Sequence, residues 1–337
     1  MKILVTGGLG FIGSHTVVEL QDEGFDVIVI DNLSNSSIEV LDGIEKITGK
    51  KIIFENIDLR DKLAVQNFFQ KYNDIIGIIH FAASKAVGES IENPLLYYEN
   101  NINSLVYLLQ EIANLPQANF IFSSSCTVYG QAEKMPITED ASVQPANSPY
   151  GNTKQIGEEI IVDVTKVTNL NAVLLRYFNP IGAHSSAEIG ELPLGIPQNL
   201  VPFITQTAFG LRKELSVNGN DYPTPDGTNI RDYINVVDLA KAHVIALQRL
   251  LKKQNVEKVE IFNLGTGKGS SVLEVITAFE KVFGQKLPYK IVGRREGDVV
   301  SAYANTDKAN KVLGWKAETS LEDSLASAWK WEQKIRR

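Results

Sequence analysis

The chain has 337 residues, of which 44% are hydrophobic and 22% charged, a composition typical of folded globular proteins rather than disordered ones. Its net charge of -7 argues against a general nucleic-acid or anionic membrane surface, because such partners need a basic face. A single cysteine, Cys126, excludes an internal disulfide, and the four histidines lack metal-ligand spacing, so we predict no metal site. These features and a short apolar start predict a cytoplasmic location without a signal peptide or membrane span.

The chain opens with a predicted strand, a glycine turn and a helix. Residues 2–6 (KILVT) form the strand, and Gly7, Gly10 and Gly13 follow at three-residue spacing before a helix that continues to about Asp22. This order is a variant of the dinucleotide fingerprint, in which glycines permit a tight turn and a close approach of the backbone to a pyrophosphate. We therefore predict that this turn binds a dinucleotide.

The second predicted strand, residues 26–30, ends next to an acidic residue. Asp31 lies 18 residues beyond Gly13, where a carboxylate can hold the ribose hydroxyls of adenosine. The 2′-phosphate of NADP would meet a negative charge at this place. The sequence therefore predicts NAD as the cofactor.

Strands and helices then continue to alternate. Strands are predicted over 51–55, 75–81 and 119–124, and helices from about Asp61 and about Pro94. Such alternation is typical of a doubly wound parallel sheet, the Rossmann type of α/β fold.

Several residues just beyond these strands are predicted to line the cofactor crevice, since ligands bind at the carboxyl ends of parallel strands. Asp58 can accept from the adenine amine, and Lys85 faces either the cofactor or water. Each of these residues has the alternative of being an ordinary loop residue. The other predicted lining residues are Phe81, Ala82, Ala83 and Asn100.

The helix predicted over 95–115 is apolar on more than one face. Tyr98, Ile102, Leu105 and Leu109 recur at the spacing of one helix face, which covers the sheet. Further apolar residues indicate a second buried face and hence a subunit partner. A helix covered within a monomer is the alternative.

Tyr150 and Lys154 lie four positions apart in a predicted helix, so that their side chains share one face. An ammonium beside a phenol stabilises the phenolate, which would bring the pKa of Tyr150 closer to neutrality. We predict Tyr150 as a catalytic base. An exposed helix that presents the two residues by chance is the alternative.

Six motifs in order along the chain resemble the UDP-glucose 4-epimerase family, an extended branch of the short-chain dehydrogenases. They cover nearly the whole chain, and their succession is far more specific than any one of them. They are SSSCTVYG at 123–130, SPYG at 148–151, LRYFNP at 175–180, GNDY at 219–222, RDY at 231–233 and RREGD at 294–298.

The resemblance implies an epimerase that interconverts UDP-galactose and UDP-glucose. Tyr150 would take the proton of the sugar 4-hydroxyl while C4 gives hydride to NAD, and the hydride would return to the other face of the 4-ketose. Ser125 would relay the proton, and Lys154 would lower the pKa of Tyr150 and hold the nicotinamide ribose. Further implied cofactor contacts are Phe11, Ile12, Asn32, Asn35, Ser36, Leu59, Ser123, Tyr177 and Phe178.

Beyond about residue 180 the periodicity weakens and a smaller substrate lobe is predicted. The cofactor domain is predicted over 1–179 plus about 236–265, and the α/β lobe over about 180–235 plus 266–337. The family positions Arg231 and Arg295 suit a UDP diphosphate. The complete implied substrate set is Lys85, Ser125, Tyr150, Asn179, Asn199, Leu200, Ser216, Asn218, Arg231, Tyr233, Arg295, Asp298 and Ala302.

Two positions depart from the pattern common in the family. Asn218 stands where many members have an aromatic residue that stacks on uracil, so the base contact here is weaker or different. Ala302 stands where some members have a tyrosine and hexosamine-tolerant ones a small residue. We hypothesise that Ala302 leaves room for a 2-N-acetyl group.

Four other functions are weighed against the epimerase. A nucleotide-sugar dehydratase would carry an Asp-Glu pair where this chain has Cys126 and Thr127. A UDP-uronate epimerase stays open. An NAD-sensing binding protein would not need Ser125, Tyr150 and Lys154. A Cys126 thiolate nucleophile has no histidine nearby in sequence.

Overall fold

The computed structural model describes residues 2–113, 115, 118–295 and 297–337. Glu296, part of the last motif, lies outside the described residues. The strands are β1 (Lys2–Thr6), β2 (Asp26–Asp31), β3 (Ile53–Asn56), β4 (Ile75–His80), β5 (Ala118–Ser123), β6 (Leu170–Tyr177), β7 (Asn179–Ile181), β8 (Leu215–Asn218), β9 (Ile230–Arg231), β10 (Tyr233–Asn235), β11 (Val259–Leu264), β12 (Ser270–Ser271), β13 (Tyr289–Val292) and β14 (Ser301–Ala302). The α-helices are α1 (Phe11–Asp22), α2 (Val40–Thr48), α3 (Lys62–Lys71), α4 (Val87–Glu92), α5 (Pro94–Tyr98), α6 (Ser104–Ile112), α7 (Pro149–Val167), α8 (Leu200–Ala208), α9 (Val236–Leu251), α10 (Val272–Phe283) and α11 (Leu321–Ile335).

Seven strands form one parallel sheet in the order β11-β6-β5-β4-β1-β2-β3. Alternate side chains of β1 point to opposite faces, so Ile3 and Val5 join one apolar cluster and Leu4 joins the other. The first cluster includes residues of α1, α2 and α9, and the second includes residues of α3, α6 and α7. The predicted doubly wound sheet is confirmed, and both of its faces are covered by helices.

Some predicted boundaries are wrong by a few residues. The third strand begins at Ile53, two residues later than predicted. The helix predicted over 95–115 ends at Ile112 and is interrupted by a π-helical turn, Glu99–Asn103. Within this turn Asn101 Oδ1 accepts from Ser84 N at 2.8 Å, and Asn100 Nδ2 donates to Ser84 Oγ at 2.9 Å. The π-helical turn therefore places Asn100 and Asn101 in contact with the loop after β4. Helical periodicity does not predict a tertiary contact of this kind.

A smaller region contains short sheets and its own core. β7 pairs with β10, β9 lies between β12 and β14, and β8 pairs with β13. The residues of its apolar cluster come mainly from α8, α10 and α11. Between these segments, β11 pairs with β6 and so belongs to the large sheet, where the predicted cofactor domain resumes at about 236–265. Among the described residues, no helix combines the length and the apolar character that crossing a membrane requires.

Candidate active site

The glycine turn brings the backbone of β1 against the loop that follows β4. Gly7 has φ +67°, and a Cβ on it would lie 2.7 Å from the backbone nitrogen of Ala82. A Cβ on Gly13 would lie 2.2 Å from the carbonyl oxygen of Gly7, so α1 packs directly on the turn. Gly10 is the N-cap of α1 and offers no side-chain cap. The first N–H groups of the helix, which have no partner within it, therefore face the turn.

Asp31 joins the glycine turn to the loop after β2. Its carboxylate accepts from Leu9 N at 3.1 Å, from Leu33 N at 3.0 Å and from Ser36 Oγ at 2.8 Å. The residue is 8% exposed at the end of its strand. A carboxylate held in this way lies beside the first glycines, which fits an adenosine ribose whose diphosphate rests on the turn.

Asp58 is engaged by its own neighbours. Arg60 Nη2 donates to its carboxylate at 2.7 Å, and Asn32 Nδ2 donates at 3.2 Å. The hydrogen bond with Arg60 is the main cause that holds the pKa of Asp58 at about 2. The Leu59 side chain is 5% exposed and belongs to the core, so any cofactor contact of Leu59 is a backbone contact. Asn35 lies with Asn32 and Ser36 in the loop after β2.

The loop after β4 lies across the turn from β2. Phe81 N donates to Thr6 O at 3.0 Å, which holds residues 81–83 beside the end of β1. Lys85 Nζ lies 3.6 Å from the Glu191 carboxylate. Asn199 Nδ2 donates to the same carboxylate at 2.6 Å, so Glu191 joins this loop to the start of α8. Sequence reasoning did not single out Glu191, because no motif surrounds it.

The candidate catalytic groups meet at the carboxyl end of β5. Ser125 caps a 3₁₀ turn, Cys126–Tyr129, through a hydrogen bond from Thr127 N at 3.2 Å. Ser148 caps α7 by accepting from Gly151 N at 3.1 Å. These two caps orient Ser125 and Tyr150 so that the Ser125 hydroxyl lies close enough to the phenol to influence its pKa. Tyr150 is 7% exposed.

Lys154 lies on α7 one turn beyond Tyr150 and is 4% exposed. Its Nζ donates to Ser123 O at 2.8 Å and lies 4.8 Å from the centre of the Phe122 ring. Ser123 Oγ in turn donates to Tyr177 Oη at 3.0 Å, at the end of the neighbouring strand. The structure therefore brings together Ser123, Ser125, Tyr150, Lys154 and Tyr177.

The pKa of Tyr150 differs from the sequence prediction. Burial, followed by the neighbouring Tyr177, raises the pKa of the phenol, and the nearby Ser125 hydroxyl opposes this rise only in part. Burial also lowers the pKa of Lys154 to about 8, against the attraction of Glu158. The Lys154 ammonium is bonded to Ser123 O rather than to Tyr150, so burial decides the direction of the shift and the pKa of the phenol stays raised.

Cys126 is not poised as a nucleophile. Burial raises the pKa of its thiol to about 12, so the thiolate is absent at neutral pH. The raised pKa thus agrees with the sequence argument against a thiolate nucleophile at Cys126.

Two arginines converge on one carboxylate in the smaller region. Arg231 Nη2 lies 3.4 Å and Arg295 Nη2 lies 2.8 Å from Asp298 Oδ1. Arg231 is also held by Val299 O at 2.8 Å, and it pairs in register with Ala302 between β9 and β14. Asp298 is nearly buried, so the arginines share a fixed anchor.

The remaining predicted substrate residues lie on neighbouring elements. Asn179 pairs in register with Tyr233 between β7 and β10, and Leu200 begins α8. Ser216 and Asn218 are two residues apart on β8, hence on one face. Phe178, predicted as a cofactor contact, is 3% exposed and packs in the cluster with Val128, Tyr129 and Ala302.

The sequence analysis also did not predict a buried ion pair near Lys154. Glu158 binds Arg176 with both oxygens, the shortest contact being 2.6 Å. A signal was available: Glu158 follows Lys154 at the same four-residue spacing that joins Tyr150 to Lys154, which places all three on one face of α7.

Comparison with known proteins supplies the family. A UDP-glucose 4-epimerase of Bacillus subtilis is 50% identical over 333 residues, which cover 98% of this chain and 97% of the relative. A UDP-glucose 4-epimerase of Schizosaccharomyces pombe is 50% identical over 337 residues, 98% of this chain and 94% of the relative. The chain belongs to the UDP-glucose 4-epimerase family.

A crystal structure from this epimerase family has the same fold. It is UDP-glucose 4-epimerase from Bifidobacterium longum in complex with NAD+ and UDP, with a TM-score of 0.94 and 47% identity, and the match covers 100% of this chain and 99% of that one. The family model described as GDP-mannose 4,6 dehydratase matches residues 4–328. The relatives and the crystal structure confirm the predicted resemblance to the epimerase family.

Proposed function

We propose that the chain interconverts UDP-galactose and UDP-glucose by epimerisation at C4, with NAD as its bound cofactor. The observation that carries the proposal is the meeting of Ser125, Tyr150 and Lys154 at the carboxyl end of β5, in the sheet whose β1 leads into the glycine turn. One crevice thus contains a base, Tyr150, a hydroxyl that can relay a proton, Ser125, and a turn that can bind a dinucleotide. This combination suits the removal of a proton and a hydride from one carbinol.

Each of the candidate catalytic residues has a distinct chemical role in this proposal. The Tyr150 phenolate removes the proton of the 4-hydroxyl, Ser125 passes it on, and the reverse transfer restores it. Lys154 contributes a buried cation that favours the phenolate. NAD, when bound, accepts and returns the hydride of C4 and adds a cationic ring to the site. Burial raises the pKa of the Tyr150 phenol. Tyr150 therefore needs both the Lys154 ammonium and the cationic nicotinamide ring to act as a base near neutral pH.

The residues of the crevice suit NAD. At Gly7 and Gly13 the neighbouring backbone fills the space of a side chain, and this close packing forms the tight turn on which the diphosphate would rest. Asp31 holds a carboxylate that accepts ribose hydroxyls and repels a 2′-phosphate. Phe81 and Tyr177 are partly buried at the ends of β4 and β6, where the nicotinamide half would lie. The predicted cofactor set is retained as a proposal on these grounds.

We assign the UDP moiety to the smaller region. Arg231 and Arg295 place two guanidinium groups around one anchor, an arrangement that suits a diphosphate. Asp298 can accept uridine ribose hydroxyls, and Asn179 and Asn199 offer amide groups for phosphate and sugar. We retain the domain division predicted from sequence as part of this proposal.

One assay tests the proposal. The purified chain is incubated with UDP-galactose without added cofactor, and nucleotide sugars are separated by chromatography. We expect UDP-glucose to appear until the two sugars reach equilibrium. Absence of UDP-glucose contradicts the proposal, and a 4-keto-6-deoxy product would indicate a dehydratase instead. The protonated thiol of Cys126 and the Thr127 hydroxyl are poor replacements for the dehydratase Asp-Glu pair. Turnover of a UDP-uronate instead of UDP-galactose would favour the uronate alternative.

We further propose that N-acetylated substrates are accepted, because Ala302 is small and 9% exposed beside Arg231. Replacing Ala302 by Tyr should fill the space near the sugar. We expect Ala302→Tyr to lose UDP-GalNAc turnover by about 100-fold and to keep most UDP-galactose turnover, as measured by kcat/KM for both. A wild-type chain that ignores UDP-GalNAc, or a variant that loses both activities equally, contradicts this proposal.

We propose a homodimer formed through the helices around 95–115 and 150–168. Leu95 is 80% exposed on α5, and it lines an open groove with Tyr98, Ile102 and Ile156. The prediction that Tyr98 and Ile102 share the sheet-covering face with Leu105 and Leu109 is therefore wrong, since the π-helical turn lies between the two pairs. An apolar groove of this kind is typical of subunit contacts. With its single free cysteine, the chain also suits the cytoplasm, which we propose as its location.

The double variant Leu95→Glu/Ile102→Glu should be monomeric, because two carboxylates would be buried without partners at the contact. Sedimentation velocity at micromolar concentration checks this, with a dimer expected for the wild-type chain. Leu63→Glu is the matched control, since Leu63 is 64% exposed on α3, outside this groove. A monomeric wild-type chain, or a variant that still dimerises, contradicts the proposal.

A further inference from the structure

A buried ion pair ties together the elements that carry the candidate catalytic groups. Glu158 on α7 accepts from Arg176 Nε at 3.0 Å and from Arg176 Nη2 at 2.6 Å, and Arg176 lies near the end of β6. Ser124 Oγ donates to the same carboxylate at 2.5 Å. The exposed fractions of Glu158, Arg176 and Ser124 are 7%, 4% and 0%. The pair therefore joins α7 to the carboxyl ends of β5 and β6, immediately beside Ser125.

The same carboxylate contacts one buried cation, Arg176, and acts through its charge on a second, Lys154. Lys154 precedes Glu158 by one helical turn, and Arg176 faces it from the sheet. Glu158 is the acidic group whose charge acts on Lys154 and raises its pKa. A carboxylate shared in this way balances one of two positive charges in a region of low dielectric.

The other titratable groups around Lys154 are uncharged at neutral pH. His80 approaches from β4, and burial lowers its pKa to about 3, so the imidazole is neutral. Tyr177 on β6 has its pKa raised by burial to about 12. The pKa of Tyr150, on the same helix, is likewise raised by burial. Glu158 is thus the charged group that opposes the effect of burial on Lys154, and Arg176 binds the same carboxylate.

We propose that Glu158 is a positioning residue of the reaction, whose carboxylate keeps Lys154 protonated and holds the Ser124–Ser125 turn beside Tyr150. This inference rests on the proposed function, in which the Lys154 ammonium favours the phenolate. The physical reason lies in the unequal basicity of the two cations. An arginine keeps its proton inside proteins, so when the shared carboxylate is removed, Lys154 is the group that loses its charge.

The proposal predicts that substitutions of Glu158 and of Arg176 move the alkaline limb of the kcat profile in opposite directions. Burial already lowers the pKa of Lys154 to about 8, so turnover should fall as pH rises through this value. In Glu158→Gln the alkaline limb of the kcat profile should move down by about one pH unit or more. In Arg176→Met it should move up, because one cation is gone and the carboxylate remains. The double variant Glu158→Gln/Arg176→Met should return the limb toward the wild-type position.

Glu159→Gln is the matched control. Glu159 is the next residue on α7 and is exposed, so its charge is screened by solvent and the profile should not move. A merely structural role for Glu158 would reduce turnover at every pH without displacing the limb.

A second readout needs no turnover. The unfolded chain keeps a lysine protonated to about pH 10.4, so once folded Lys154 has released its proton, the unfolded state binds more protons and stability rises with pH. In Glu158→Gln this rise begins at a lower pH than in the wild-type chain. The Tm deficit of the variant should therefore narrow between about pH 6 and about pH 8.

The outcomes are distinct. A limb that shifts down in Glu158→Gln, up in Arg176→Met and back in the double variant supports the proposal, as does a narrowing Tm deficit. An unshifted limb together with a constant deficit overturns it. If Glu158→Gln does not fold, the Arg176→Met and double variants decide by the same criteria. A wild-type chain that does not convert UDP-galactose overturns the proposed function, and the Tm comparison still decides the role of Glu158.

Discussion

Tyr150→Phe is expected to abolish epimerisation while leaving cofactor binding intact. Phenylalanine keeps the ring, which contacts Tyr97 edge to face at 6.5 Å between centroids, but it removes the hydroxyl that lies beside Ser125. General acid-base catalysis contributes about 10² to 10⁴-fold to a rate, and here one group acts in both directions of proton transfer. We expect kcat to fall by about 10³-fold or more. The measurement is the initial rate of UDP-glucose formation, with NAD content determined after purification.

The Tyr107→Phe variant is a suitable control for this measurement. Tyr107 is a partly buried tyrosine on α6, and its ring lies beneath Lys62 at 5.8 Å rather than at the site. Removal of its hydroxyl should leave turnover within about twofold of the wild-type rate. Persistent turnover in Tyr150→Phe would remove Tyr150 from the role of base. Loss of NAD in the same variant would instead point to a role in cofactor binding.

Short-range patterns predicted the parts of the site that depend on neighbours in sequence. The spacing of Gly7, Gly10 and Gly13 after a strand indicated the tight turn, and the four-residue spacing of Tyr150 and Lys154 indicated their common face. Both patterns follow from the periods of strand and helix, which a single sequence contains. The order of strands and helices was predictable for the same reason, although the ends of several elements were not.

Features that depend on distant residues were not predictable in this way. The prediction of a lowered pKa for Tyr150 assumed that Lys154 is the main influence on the phenol. In the fold, the ammonium is bonded to Ser123 O at 2.8 Å, and burial dominates the phenol. The π-helical turn at Glu99–Asn103 likewise depends on Ser84. Such effects arise where the fold, rather than local spacing, decides which groups become neighbours.

The Arg231 and Arg295 pair illustrates both sides of this distinction. The motifs around these arginines identified them as candidates for binding a diphosphate, although 64 positions separate them in the chain. Arg295 lies three residues from Asp298, whereas the contact of Arg231 with the same oxygen depends on the pairing of β9 with β14. A family motif thus identifies which residues are candidates for a site. Their distances from one another depend on how the strands pair.

Gly13→Ala is expected to destabilise the chain, although helix propensity alone predicts the reverse. Gly13 lies in the first turn of α1, and replacement of a helical glycine by alanine ordinarily stabilises by up to about 1 kcal/mol. Here the added Cβ would lie 2.2 Å from Gly7 O and 2.9 Å from Gly8 Cα, and both contacts are with backbone atoms that cannot move independently. Either the turn or the helix must shift, at a cost of about 3 kcal/mol.

Gly88→Ala provides the matched control for this change. Gly88 also lies in the first turn of a helix, α4, where an added Cβ meets nothing within 4 Å. We expect Gly88→Ala to keep or raise Tm, and Gly13→Ala to lower Tm and to reduce the NAD retained on purification, because the displaced turn is the one proposed to hold the diphosphate. Thermal unfolding of both variants and their cofactor content give the comparison. If both variants unfold at the wild-type Tm, helix propensity outweighs the contact, and the close packing of α1 on the glycine turn is not what the fold requires.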